Sequence, residues 1–232
     1  MEISVIIPTF NEELIITKTL DALSRLVNVS EVVVVDGGST DKTLEIIEGY
    51  QGLKKLNLIK TDIHDRSRQL HEGTKHAEFE IFWFVHADTR PVQGCAGKIK
   101  TVMKYSGVAG GNFEILFDGD SGWARFLNRL YPYLRSMEMV YGDSAMFAGR
   151  EVYEKIGGFR YAYGIFADID LYNRLRKAGE FVHLSNKVTI SQRRFTDRPF
   201  FGRMAGWLTL QMLYRIGVPA KTLTKYSASL KK

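Results

Sequence analysis

Two acidic residues that could bind a ligand or a metal each follow an apolar run of the chain. The run Ile81–Val85 stops shortly before Asp88, and the valine-rich run Glu31–Val35 stops at Asp36. Both runs are too short for a helix and lack polar alternation, so they predict strands that are covered on both faces, as in parallel sheets. Open α/β sheets bind ligands at the carboxyl ends of such strands. Asp36 and Asp88 are therefore candidates for one ligand site; the alternative is that each carboxylate only shapes its turn.

The residues after Asp36 and the start of a later helix add polar groups to this candidate site. Gly37 and Gly38 allow close backbone approach or a positive φ, so Asp36 could bond a ribose or a base edge. Arg66 and Arg68 stand where a loop enters a predicted helix, and guanidinium groups there could face phosphate.

Strands and helices alternate along the first half of the sequence, which predicts an α/β fold with a largely parallel sheet. The predicted strands are Ile3–Pro8, Glu31–Val35, Leu56–Ile59, Ile81–Val85 and Val108–Leu116. Apolar residues at helical spacing then predict an amphipathic helix over Trp123–Leu134, and another helix begins near Asp168. We expect one domain over residues 1–190, with a ligand-binding half, 1–116, and a second half, 117–190. Residues 191–232 form a separate helical segment in this interpretation.

Cysteine content and hydropathy indicate the compartment. Cys95 is the single cysteine of the 232 residues, which excludes an intrachain disulfide. The N-terminus enters a strand at Ile3 without an apolar signal segment. The longest uncharged run of the C-terminal region, Met204–Tyr214, has eleven residues, against the ~20 that a membrane-spanning helix needs. We therefore expect a cytoplasmic protein without a transmembrane helix.

Positive charge is concentrated at the C-terminal end. Residues 191–232 carry nine Lys and Arg against the single acid Asp197, a net of +8, whereas the first 190 residues carry 23 basic and 25 acidic side chains, a net of −2. A local excess argues against a nucleic-acid-binding protein. Because aromatic residues are interleaved with the charges, an anionic membrane surface or a phosphorylated ligand suits the segment better, although a solvated helix face is the alternative.

The segment Phe200–Ile216 is apolar around most of a helix, with Arg203, Gln211 and Arg215 as a narrow polar stripe. Such a helix must bury its apolar surface. Three partners remain open at this point: a membrane interface at the inner face of the cell membrane, the domain of residues 1–190, or a second copy of the chain in a homodimer.

The motifs, taken in their order along the chain, resemble the family 2 glycosyltransferases, which use a nucleotide-diphospho-sugar donor on a GT-A fold. The resemblance covers most of the chain. It depends on Val5–Glu12, Val34–Asp41, His86–Asp88, Gly157–Phe159 and Ala167–Asp168. The Arg66–Gln69 stretch and Arg193–Phe195 also look like a small bacterial-type branch of soluble or peripheral members.

The resemblance implies roles for individual residues around the donor. Residues that would line the nucleotide are Pro8, Thr9, Asn11 and Glu12, with Asp36 on the base, usually uracil, and with Arg68 and His86 nearby. Arg193 and Arg194 would clamp the phosphates. The metal-binding D-x-D pattern falls on His86–Asp88, where histidine replaces the first Asp. Asp88 would bind Mg²⁺ or Mn²⁺, and His86 could instead hydrogen-bond the diphosphate or the ribose.

The resemblance also implies a catalytic base. An acceptor hydroxyl must lose its proton as it attacks the anomeric carbon, and the family uses the Asp of a Glu-Asp pair. Here the pair reads Ala167–Asp168, so the base position is filled by Asp168, whose alternative role is to cap its helix.

The resemblance implies an inverting glycosyltransferase that uses a metal and a UDP-linked donor. Its acceptor is unknown, and membrane contact would favour a lipid-linked one. Two competing functions are a sugar nucleotidyltransferase and a non-catalytic nucleotide-sugar-binding module. The chain has no Gly-rich, lysine-containing loop after the first strand, which argues against the nucleotidyltransferase. The non-catalytic module is suggested by His86 and Ala167, where the sequence departs from the family's D-x-D and Glu-Asp patterns.

Overall fold

A computed structural model describes residues 1–119, 121–136, 144–191 and 200–230. Its strands are β1 (Ile3–Thr9), β2 (Glu31–Asp36), β3 (Leu56–Lys60), β4 (Ile81–Phe84), β5 (Thr89–Pro91), β6 (Val108–Phe117), β7 (Phe147–Gly149) and β8 (Glu180–Ile190). Its helices are α1 (Ile16–Ser24), α2 (Thr43–Glu48), α3 (Arg66–His76), α4 (Cys95–Val102), α5 (Gly122–Ser136), α6 (Arg150–Lys155), α7 (Ala167–Ala178), α8 (Phe200–Arg215) and α9 (Ala220–Leu230). A 3-10 helix, Tyr161–Phe166, leads into α7.

The described strands form one sheet in the order β3-β2-β1-β4-β7-β6-β8-β5. The first four strands in this order are parallel, which confirms the predicted α/β layout for the first half. Farther along, β7 runs antiparallel to β4 and to β6, and β5 runs antiparallel to β8. The whole sheet is therefore mixed, with its parallel part at the predicted ligand edge.

Both faces of the parallel strands are buried, because adjacent residues of each strand point to opposite faces. Val32 and Val34 join one core cluster with α1 and α4, and Val33 and Val35 join a second cluster with α3, α6 and α7. This two-sided covering explains why these strands read as unbroken apolar runs. Cys95 lies in the first cluster, and burial raises the pKa of its thiol to about 11.

The C-terminal helices pack against the region before α7 through a third cluster. Phe166, at the end of the 3-10 helix, stacks on Tyr214 of α8 with ring centroids 4.5 Å apart and planes 9° apart. Leu223 of α9 is buried in the same cluster. Of the three partners considered for α8, the catalytic domain therefore covers one face. Gln211, part of the predicted polar stripe, is buried rather than exposed.

Within the described ranges, no helix combines the length and the apolar character that a membrane crossing requires.

Candidate active site

The carboxyl ends of β1 and β2 lie side by side, with Thr9 opposite Asp36 in the register. Asp36 is buried, and its carboxylate accepts hydrogen bonds from four donors of its surroundings. These donors are the backbone N–H groups of Gly38 (2.9 Å) and Ser39 (2.7 Å) and the hydroxyls of Ser39 (2.5 Å) and Thr9 (3.0 Å). Such bonding is that of an Asx turn, so Asp36 does shape its loop. Its predicted contact with a base stays a prediction.

The loops after β1 and β2 are joined to each other by hydrogen bonds in both directions. Asn11 has a φ of 54°, a left-handed conformation that asparagine tolerates better than most residues. Its backbone N–H donates to the Ser39 hydroxyl (2.9 Å), and its side-chain oxygen accepts from the backbone N–H of Thr40 (2.9 Å). The Glu12 N–H donates to the Thr43 hydroxyl (2.8 Å). The residues predicted to line the nucleotide therefore form one fixed double loop at the ligand edge.

The first turn of α3 stabilises this double loop through hydrogen bonds. Gln69 is buried, and its amide donates to the carbonyls of Thr9 (2.8 Å) and Val35 (3.1 Å), so it ties the ends of β1 and β2 together. Gly37 is required beside it, because a Cβ there would overlap the Ile63 carbonyl and lie 2.7 Å from the Gln69 amide. Sequence reasoning missed Gln69 as a site residue. The sequence did contain a signal for it. Gln69 lies four residues before Gly73 and so on the same face of α3, and Gly73 is where α3 meets β1 closely.

The end of β4 delivers His86 and Asp88 to the same edge, and both side chains are buried. Thr19 of α1 donates its hydroxyl to the carbonyl of Ala87 (2.6 Å), which fixes the turn between them. The Asp88 carbonyl accepts from the N–H of Ser191 (3.1 Å), so the end of β8 also reaches this turn. The predicted placement of Asp88 just beyond a buried strand is what the structure shows.

The donor set near Asp88 fits a metal that is shared with a ligand. Among the residues that the structure describes, His, Cys, Asp and Glu side chains form no group of three or more that could hold an ion alone. Mg²⁺ is commonly bound by one or two carboxylates together with substrate phosphates and water. Asp88 can supply the carboxylate of such a site, with the remaining ligands coming from a bound diphosphate and water.

Asp168 lies in the first turn of α7, and its side chain is only 6% exposed. Its carboxylate forms an ion pair with Arg66, the first residue of α3. The sequence indicates that Arg66 and Arg68 could face phosphate, and that stays a prediction. In the structure Arg66 contacts Asp168, and the Arg68 guanidinium lies 4.7 Å from the centre of the Tyr161 ring. Both contacts reach from the donor-side helix α3 to the segment around the start of α7.

A second carboxylate of α7 has a structural role. Asp170 pairs with Arg174 at 2.6 Å, and Arg174 also donates to the carbonyls of Ile156 (2.8 Å) and Gly158 (2.6 Å). The i,i+4 spacing of Asp170 and Arg174 is typical of a surface pair, but their side chains are only 9% and 13% exposed. The turn after α6 covers the pair and uses the remaining guanidinium donors.

Burial is the main cause of the pKa shifts of two groups beside this turn, the buried Tyr153 and the half-buried His71. Burial raises the pKa of Tyr153 to about 12, and its hydroxyl accepts from the N–H of Phe159 (3.1 Å). Burial, with Lys75 nearby, lowers the pKa of His71, whose Nδ1 lies 3.1 Å from the same hydroxyl. Near neutral pH both groups are therefore uncharged and act as packing and hydrogen-bonding groups.

Arg193 and Arg194, the predicted phosphate clamp, lie outside the described residues. The other predicted residues divide between the donor edge and α7. The double loop, His86 and Asp88 lie at strand ends of one edge of the sheet, and Asp168 is joined to that edge through Arg66 of α3.

Glycosyltransferases are among the solved structures that resemble this fold. Staphylococcus aureus TarS, as residues 1–349 in complex with UDP, gives a TM-score of 0.67 at 20% identity, over 82% of this chain and 60% of that one. The mannosyltransferase PcManGT of Pyrobaculum calidifontis, in complex with GDP-Man and Mn²⁺, gives 0.67 at 20% identity, over 99% of this chain and 69% of that one. The fold is thus the GT-A fold of glycosyltransferases, as the motif order predicted.

Sequence comparisons assign the chain to one family of glycosyltransferases. The model of the family described as Glycosyl transferase family 2 matches residues 4–157, and the chain belongs to this family. It is 40% identical over 95 residues to the poly(ribitol-phosphate) beta-N-acetylglucosaminyltransferase TarS of Staphylococcus aureus strain Mu50, which is 38% of this chain and 16% of that one. A dolichyl N-acetyl-alpha-D-glucosaminyl phosphate 3-beta-D-2,3-diacetamido-2,3-dideoxy-beta-D-glucuronosyltransferase of Methanococcus voltae is 37% identical over 97 residues, 39% of this chain and 30% of that one. The aligned region is therefore well under two thirds of either relative.

Proposed function

We propose that this protein transfers a sugar from a nucleotide-diphosphate donor, UDP-linked, to an acceptor hydroxyl with inversion at the anomeric carbon. The observation that carries the proposal is that the double loop and Asp88 share one sheet edge, while α3 joins that edge to the buried Asp168. Family membership supports the reaction class. The UDP complex of TarS supports the choice of nucleotide.

In this proposal residues 1–116 hold the donor. Pro8, Thr9, Asn11 and Glu12 line the nucleoside, and Asp36 orders the loop that receives the base. The Asp36 carboxylate already accepts four hydrogen bonds. To bind the base, either the Thr9 and Ser39 hydroxyls turn away from Asp36, or the backbone of the same loop contacts the base. His86 and Arg68, with Arg193 and Arg194 from the segment that follows β8, would supply further contacts to the ribose and the phosphates.

Asp88 would hold Mg²⁺ or Mn²⁺ against the diphosphate. A bound divalent cation neutralises the charge that develops on the leaving diphosphate oxygen. The protein contributes a buried carboxylate on a turn fixed by Thr19 and by the N–H of Ser191. The Mn²⁺ in the PcManGT complex supports the choice of ion.

Asp168 would act as the base on the acceptor, in the half formed by residues 117–190. The acceptor oxygen attacks the anomeric carbon while its proton passes to the Asp168 carboxylate. The bond between the anomeric carbon and the diphosphate oxygen breaks, and the nucleoside diphosphate leaves with the electron pair. A single displacement of this kind inverts the configuration.

The described surface of α8 and α9 suggests where the acceptor is presented. Ala205, Thr209, Met212 and Ile216 follow helical spacing and are exposed, opposite the face that packs on Tyr163 and Phe166. Residues 200–230 contain four basic side chains and no acid. Exposed apolar residues in a segment of net positive charge suit an anionic lipid surface, so we propose peripheral membrane contact and a lipid-linked acceptor.

A screen of nucleotide sugars by thermal unfolding, with and without Mn²⁺, tests the proposed donor class. A ligand that binds only the folded protein raises its melting temperature, so we expect stabilisation by UDP-sugars that increases with Mn²⁺. The sugar nucleotidyltransferase would instead release pyrophosphate from UTP and a sugar phosphate. A non-catalytic module would bind a donor without hydrolysing or transferring it. Absence of stabilisation by any nucleotide sugar would contradict the proposal.

A further inference from the structure

We propose that Arg66 is a positioning residue that pairs with the Asp168 carboxylate and holds it correctly oriented for proton transfer. The inference rests on the proposed function, in which Asp168 is the base. It assigns a role to a residue of the donor half in the chemistry of the acceptor half.

The first reason is the electrostatics of the base. The Asp168 side chain is 6% exposed, and an ionised carboxylate that is buried without a counter-charge loses much of its hydration free energy. Only the ionised form can accept the acceptor proton. The Arg66 guanidinium donates to Oδ2 of Asp168 and supplies the counter-charge.

The second reason is the rigidity of the helix that carries Arg66. Asp65 caps α3 by accepting from the backbone N–H of Arg68 (2.9 Å), and Gln69 fastens the same turn to β1 and β2. Gly73 lets α3 lie close to β1, because a Cβ there would overlap Ile6 and lie 3.0 Å from Val35. Arg66 therefore projects from a turn that is tied to the donor loops.

The consequence is a direct link between the donor loops and the base. The path runs from Thr9 through the amide of Gln69 to the first turn of α3, and from Arg66 to Asp168. Arg68 strengthens the link by its contact with the Tyr161 ring, in the 3-10 helix that leads into α7. A donor that orders the loops would also set the orientation of the base.

Steady-state kinetics of Arg66→Gln and Arg66→Lys test the role. We expect Arg66→Gln to lower kcat by about 10- to 100-fold, as misplaced catalytic groups do, with the KM for the donor changed less than about twofold. Arg66→Lys keeps the charge and should recover most of the loss, and added guanidinium should partly restore Arg66→Gln. The control is Arg25→Gln, an exposed arginine at the far end of α1, which should leave both constants unchanged.

Other outcomes overturn the inference. A raised donor KM with unchanged kcat would make Arg66 a ligand of the donor phosphates. A loss that neither lysine nor guanidinium restores, with a lowered melting temperature, would make its role structural. If the wild type is active and needs Asp168 but Arg66→Gln is equally active, the positioning role alone fails. If the wild type transfers no sugar from any donor, the proposed function fails instead.

Discussion

At the scale of single residues, the carboxylates predicted to do chemistry have different surroundings. Asp36 is surrounded by donors of its own loop, whereas Asp168 contacts a cation from another element. Asp88 stands on a turn that is held through the backbone carbonyls of Ala87 and of Asp88 itself. Asp36 therefore stabilises its loop. We expect Asp88 to bind the metal and Asp168 to act on the acceptor.

Metal dependence is the prediction that belongs to Asp88. Removing the divalent ion with EDTA, or removing its carboxylate ligand by Asp88→Ala, should lower transfer at least about 100-fold, because charge on the leaving diphosphate is no longer neutralised. Activity is measured as release of the nucleoside diphosphate, with readdition of Mn²⁺ restoring the EDTA-treated wild type. Undiminished turnover under EDTA would remove Asp88 from the metal role. The variant's melting temperature checks that the turn has not simply unfolded.

At the scale of secondary structure, the sequence predicted best the elements that are covered on both faces. The strands β1, β2 and β4 appear as apolar runs because helices pack on either side of them. The structure adds β5 and β7, which are three residues long, and β8, whose eleven residues mix exposed polar and buried apolar positions. Short or half-exposed strands give little periodic signal, because their pairing is decided by neighbours distant in the sequence.

The candidate site shows the same limit. The strand-end residues Asp36 and Asp88 follow from local pattern, since parallel strands end at a common edge. The Arg66–Asp168 pair joins residues that are 102 positions apart, so local sequence spacing could not predict it. Gln69 was missed for a related reason. In the sequence, a buried glutamine looks like any polar residue of a helix, and its partners, the carbonyls of Thr9 and Val35, are visible only in the structure.

The exposed residues along α8 and just after its end are the basis of the prediction on membrane contact. Ile216 is 76% exposed, and Ile216→Asp should weaken binding to vesicles of anionic lipid by at least about tenfold, since it removes apolar contact and adds a repelled charge. Val27→Asp is the matched control, because Val27 is also 76% exposed but follows α1. Vesicle co-sedimentation measures the effect. Equal binding by both variants and the wild type would place the contact elsewhere, and a concentration-dependent change of mass without vesicles would indicate a homodimer.

At the scale of the whole molecule, the two halves meet through α3 and through the mixed part of the sheet. The donor half is built from parallel strands whose ends carry the double loop and Asp88, and α7 carries the base. The C-terminal helices pack on the 3-10 helix immediately before α7, with Thr224 of α9 close to Gly164, where a Cβ would lie 2.6 Å from its hydroxyl. The residue proposed as base therefore lies between the donor half and the segment proposed to meet the acceptor.

The most direct test of the account is a comparison of sugar transfer and donor binding in the wild type and in Asp168→Asn. The amide keeps the shape of the carboxylate but cannot accept the acceptor proton, so we expect transfer to fall by about 10²- to 10⁴-fold. The stabilisation of the protein by UDP-sugar and Mn²⁺ should stay nearly that of the wild type, because Asp168 does not touch the donor loops. Full transfer activity in Asp168→Asn would contradict the account.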